Sequence, residues 1–176
     1  MISPTNQGYT AANAKRLPLE RAWLYRPEAA WFYSHHPSLT LFNGRYHAIW
    51  SNGRRDEDAP GQRVLIAHTD DFLNWSPPEP LIDVLPGQHG ERVLTAAGFH
   101  RQGGEFIAYA GSFEYRPECL DGNGRCHPGD TGHTNTTLLA AASRICVNAS
   151  IAISDVRPII PGANTSIIRM VSTMNR

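Results

Sequence analysis

Lysine is almost missing from this chain: Lys15 stands alone among 16 basic residues, which face 16 acidic ones for a formal net charge of zero. A surface balanced in this way has no basic stripe, so it gives no electrostatic case for nucleic acid or an anionic membrane as partner. Long apolar runs are absent too, none approaching the roughly 20 residues that span a bilayer. The first 17 residues, MISPTNQGYTAANAKRL, lack the apolar core of a secretory signal. A cytoplasmic product is the default expectation, and a secreted one if further sequence precedes Met1. Cysteine is scarce at three. Cys119 and Cys126 flank a glycine-rich loop and would close a small disulfide in an oxidising compartment, whereas Cys146 reads as a small buried side chain. The spacing of Cys119, Cys126 and His127 fits no standard zinc site. No metal and no cofactor is expected.

What the chain does have is strand signal. At 176 residues it is long enough for one domain with a real core. Residues 35–41 end in Ser-Leu-Thr-Leu, residues 46–50 alternate large and small apolar groups, and residues 64–69 form a short aliphatic run, all with the β-branched and aromatic bias of strands. Asn43-Gly44 between the first two supplies the positive φ of a tight hairpin, which predicts antiparallel neighbours. The next connection, 51–63, is long and carries Arg54, Arg55, Asp56, Glu57 and Asp58. A loop of that length and charge is a candidate functional loop. After it, Ser76-Pro77-Pro78-Glu79-Pro80 predicts a rigid extended connector, and 81–85 a short outer strand.

The pattern then returns. Gly44-Arg45-Tyr46-His47-Ala48-Ile49-Trp50 aligns with Gly104-Glu105-Phe106-Ile107-Ala108-Tyr109-Ala110 at an offset of 60, and residues 64–69 align with 138–143 at an offset of 74. The later unit therefore holds about 14 extra residues between its second and third strands, in the loop that contains Cys119. Successive antiparallel strands repeated at this length are the sequence sign of a β-propeller blade. The expected fold is all-β, a partial β-propeller of about two four-stranded antiparallel blades. The division is an N-terminal segment over 1–30, blade one over 31–90, blade two with a long loop over 91–155, and a degenerate tail over 156–176.

The turn Thr69-Asp70-Asp71-Phe72-Leu73-Asn74-Trp75-Ser76-Pro77 resembles the Asp-box of sialidases and other BNR-repeat propellers, one residue short of the usual spacing. Its needs are physical: an Asp that accepts backbone N–H bonds within the turn and a Trp that buries apolar area between strands. His36-Pro37-Ser38-Leu39 is similar to the end of the Phe/Tyr-Arg-Ile-Pro motif that opens sialidase domains. Trp50-Ser51-Asn52-Gly53-Arg54 looks like the sialidase strand end that bears a second substrate arginine. These matches cover about residues 34–80, less than half of the chain. The chain stops short of a full ring of 4 to 8 blades, which implies a truncated member with open sheet faces prone to self-association.

The resemblance implies a glycoside hydrolase acting on an α-linked glycan, the carbohydrate being its partner. Arg54 would bind a substrate carboxylate through its planar fork, and Asp58 or Asp56 would protonate the leaving oxygen. His35, His36, Glu57 and Glu114 complete the candidate substrate-binding set. The bland reading of 54–58 is a solvated loop with internal ion pairs. Strand alternation places His35 and His36 on opposite faces, so only one of them is expected to look into a pocket, and chelation by the pair is not expected. The sequence departs from the family at His35, which stands where a substrate arginine belongs, and this weakens a sialic-acid specificity. Two rivals remain: a catalytically inactive carbohydrate-binding fragment, and a five-bladed arabinanase-type hydrolase suggested by the short turn spacing. The latter needs an inward carboxylate early in the first blade, but residues 30–52 contain no Asp or Glu.

Overall fold

The computed structural model describes residues 18–102, 105–122, 124, 132–144 and 155–158. Cys126, His127 and Cys146 lie outside the described residues. Two four-stranded antiparallel sheets make up the fold, each in simple meander order. The first holds β1 (Tyr33–Phe42), β2 (Arg45–Gly53), β3 (Arg63–Thr69) and β4 (Glu79–Ile82). The second holds β5 (Val93–Gln102), β6 (Glu105–Tyr115), β7 (His133–Arg144) and β8 (Asp155–Pro158), with one 3₁₀ turn at Pro117–Cys119. Among the described residues there is no α-helix, and none long and apolar enough to cross a membrane.

Local chemistry accounts for the pairing. Asn43 and Gly44 both take positive φ, 49° and 77°, as a two-residue hairpin turn requires, and they set Phe42 opposite Arg45. The two repeats become the second and third strands of the two sheets: β2 and β6 pair β3 and β7 respectively. Two expectations need adjusting. The outer strand of the first sheet begins at Glu79 rather than residue 81 and includes Pro80, set opposite Leu65 beside a register shift. Proline is tolerated there because β4 is an edge strand that needs no donor on its outer side. The second sheet has the four strands expected, but its last is Asp155–Pro158, paired with Leu139 to Ala142. The boundary drawn at 155/156 therefore falls inside an element.

The sheets lie face to face. Ile49, Val64, Ile66, Leu81, Ile82 and Leu85 from the first meet Leu94, Ala96, Ala108, Ala110, Leu139 and Ala141 from the second in one buried cluster. The Ala96 N–H also donates to Ser51 Oγ at 2.7 Å, fastening β5 to β2. At one end of this seam Phe106 stacks between Phe42 and Phe99, with centroids at 4.7 and 4.9 Å. On its other face the first sheet buries Ala48, Trp50, Leu65 and Ala67 against Leu24, Tyr25 and Trp75. Covering on both faces explains why β2 and β3 are buried along nearly their whole length rather than alternately. Leu39 and Leu41 of β1 and Phe32 nearby stay exposed.

Candidate functional site

Antiparallel order divides the molecule into two ends. The start of β1, the end of β2, the start of β3, the end of β4, the start of β5, the end of β6 and the start of β7 share one end, as the registers Tyr33↔Gly53, Asn52↔Arg63, Val64↔Ile82, Val93↔Phe113 and Tyr115↔His133 require. All the candidate residues belong to this end or the loops that leave it. The Thr69 to Trp75 turn and the Asn43-Gly44 hairpin sit at the other.

In that opposite turn, Asp71 Oδ1 accepts the N–H of Leu73 at 2.9 Å, the N–H of Asn74 at 2.8 Å and the Thr69 hydroxyl at 3.0 Å. The Asn74 side-chain amide donates to Oδ2 at 2.7 Å. The Asn74 backbone N–H, its side-chain amide and then the Leu73 N–H hold the Asp71 carboxyl well below the usual carboxylate range. The Trp75 indole donates to Phe72 O at 3.0 Å while its ring packs on the first sheet.

At the candidate end, the loop from Gly53 to Gln62 is organised by one buried amide. Gln62 Nε2 donates to the carbonyls of Asp56, at 3.3 Å, and of Glu57. Its Oε1 is thereby left to face His35 Nε2 at 3.2 Å. Asp58 is exposed and Asp56 half-buried. Arg55 reaches the second sheet's long loop, donating to Gly124 O at 3.2 Å. Arg54 pairs with Glu91 at 2.8 Å and lies over the Trp31 ring, 4.8 Å from its centroid, with Arg63 over the same ring at 4.0 Å. Gly61 makes room for that ion pair: with φ of 81° it has no side chain, and a Cβ there would meet Glu91 Oε2 at 2.2 Å.

The two histidines do not alternate. Pro37 has no N–H to give the ladder, and β1 bulges between His35 and Ser38 with His36 at a positive φ of 50°. Both rings consequently turn to the same side, with centroids 4.3 Å apart. Glu57 Oε1 stands 3.7 Å from His35 Nδ1 and 3.5 Å from His36 Nε2. His35 and His36 therefore share one side, where regular strand alternation predicts opposite faces. Burial lowers the His35 pKa, with His36 adding to the shift and Gln62 and Glu57 opposing it.

Glu114 lies apart from this group. Its side chain is 2 % exposed and ion-paired to Arg92 at 2.7 Å, and it accepts the His89 N–H at 2.8 Å and the Asn135 amide at 3.1 Å. Desolvation pushes its pKa up, but the His89 N–H, Asn135 and Arg92 outweigh it and the net shift is downward. Gly87 packs so closely that a Cβ would fall 2.3 Å from the carboxylate. This is a buried strut under the loop 86–92. Gln62 and Trp31, which organise the site, are residues the sequence reading passed over. A buried amide carries no local sequence signal, whereas Pro37 inside a strand run was a signal of the bulge that strand alternation left unread.

Two meander sheets laid face to face, with their first strands neighbouring, define an all-β protein built on the propeller plan. A solved sialidase is similar to it, with 20 % identity and a TM-score of 0.51 over 69 % of this chain. The likeness shows a sialidase-like fold, and the chain spans only 12 % of the length of that sialidase. No protein-family model and no curated protein sequence matches the chain.

Proposed function

We propose that the end of the sheets bearing Trp31, Arg54, Asp56 and Asp58 is a glycan site, and that the chain contributes two blades to a sialidase-like propeller acting on an α-linked sugar. The observation that carries this reading is the convergence, at one end of a sialidase-like fold, of an acidic loop with an arginine-flanked tryptophan. An indole face stacks on sugar C–H groups, and a guanidinium binds an acidic substituent bidentately. Arg54 would exchange Glu91 for that substituent. Asp58 or Asp56 would deliver a proton to the leaving oxygen as the glycosidic bond breaks. His35, His36 and Glu57 form the adjoining wall, while Glu114, paired with Arg92, holds the neighbouring loop 86–92 in place.

A second reading, glycan binding without turnover, is favoured by the exposure of Asp58. A general acid of this kind works from a desolvated pocket, and Asp58 faces solvent. Asp58→Asn separates the two. Turnover of an α-linked glycoside panel should fall by at least about a hundredfold if Asp58 is the acid, with glycan affinity retained. Wild-type protein that binds glycans but turns none over supports the second reading. Absence of both binding and turnover contradicts both.

A further inference from the structure

We propose that His35 Nδ1, His36 Nε2 and Glu57 Oε1 form a binding site for a divalent first-row transition ion, zinc being the best fit. Gln62 is fully buried and spends both its donors on the carbonyls of Asp56 and Glu57. Its Oε1 can therefore only accept, so the proton on the His35 ring must sit on Nε2, facing it at 3.2 Å. Nδ1 is left as a bare lone pair. That atom is buried with no hydrogen-bond partner, in a side chain only 10 % exposed. What it faces is a carboxylate oxygen at 3.7 Å, an acceptor too distant for a hydrogen bond and of the wrong kind. A lone pair aimed at an anion is an arrangement that a cation between them resolves.

The distances suit such an ion. Zinc binds imidazole nitrogen and carboxylate oxygen at about 2.0–2.2 Å, which puts tetrahedral ligand atoms about 3.3–3.5 Å apart. Glu57 Oε1 lies 3.5 and 3.7 Å from the two nitrogens, and the three ligand atoms all fall within 4.8 Å of one another. Two imidazoles and one carboxylate prefer zinc and its neighbours over calcium or magnesium, which take oxygen ligands. The second shell is already in place, because the Nε2–H to Gln62 bond orients the ring in the way ligating histidines are usually held. Two features of the backbone make the site possible: the bulge at Pro37, and the positive φ of His36 that swings its ring beside that of His35. Glu57 and His36 are each about half exposed, which gives an ion a path from solvent and leaves coordination positions for water. The proposal does not depend on the glycan reading.

The test is a titration of the chelator-treated, dialysed full chain with zinc chloride by calorimetry, paired with cobalt(II) absorption as a direct report of ligand geometry. The expected result is one zinc per chain and visible cobalt bands, unaffected by millimolar calcium or magnesium. His36→Asn, which tolerates the positive φ, and Glu57→Gln should each weaken binding by at least about tenfold and bleach the cobalt bands. Both positions are exposed, so matching circular dichroism keeps the comparison sound. His100→Asn, at an exposed histidine on β5, should leave binding unchanged. Absence of stoichiometric zinc binding, or wild-type affinity in His36→Asn and Glu57→Gln, would overturn the proposal.

Discussion

His47 shows how a single buried ring contributes to acid sensitivity. It is buried in β2 beside Phe106 and His68, and its Nδ1 has no hydrogen-bond partner. Burial first, then the neighbouring charges of His68 and Arg45, push its pKa down to about 4, with only Asp70 opposing. Above pH 6.5 the ring is neutral in both folded and unfolded chains and contributes nothing. As pH falls from 6.5 to about 4, the unfolded chain takes up a proton that the folded one refuses, and stability drops. The total loss is on the order of 3 kcal/mol, and it levels off below the folded pKa. Urea unfolding of wild type and His47→Leu between pH 7.5 and 4.5 measures this. The variant should lose most of the slope between pH 6.5 and 4.5, and an unchanged slope would contradict the assignment. Glu114 and Arg92 illustrate the same scale differently. Glu114 reads in sequence as a candidate substrate-binding carboxylate, and only the fold reveals that it is buried and paired with Arg92 beneath the loop 86–92.

At the scale of elements, much was legible. Positive φ at Asn43-Gly44, the order of the first three strands and the Asp71-centred turn all follow from local chemistry, because each is determined within a few residues. The elements that escaped depend on distant partners. β8 carries no alternating pattern and exists through its pairing with β7. The paired orientation of His35 and His36 arises from a bulge that reverses what regular alternation dictates. The turn at 69–75 supplies the prediction that belongs here. Asp71→Ala removes the acceptor of two backbone N–H groups and of the Thr69 hydroxyl, so amide exchange at Leu73 and Asn74 should speed up by at least about tenfold. Asp71→Asn, which keeps one carbonyl acceptor, should fall between. Trp75 fluorescence should shift with the same order, since its ring packs against the buried cluster of Ala48, Trp50, Leu65 and Ala67. Unchanged exchange in Asp71→Ala would show that the turn is held by the strands alone.

For the whole molecule, the shared core couples the two sheets, and their common end gathers residues from 31 to 135 into one surface. Neither the cooperation of Gln62 with His35 nor the stacking of Arg54 and Arg63 on Trp31 is visible in a linear reading, since both join segments brought together only by the meander. On the proposed function the two ends do different work, one held by the Asp71 turn and the other offered to a glycan. This is tested most directly by following backbone and Trp31 indole resonances while α-linked glycosides are added to the full chain. The account predicts shifts at Trp31, Arg54 and residues 55–62, with the Thr69 to Trp75 turn unmoved. Shifts centred on that turn, or none anywhere across the panel, would contradict it.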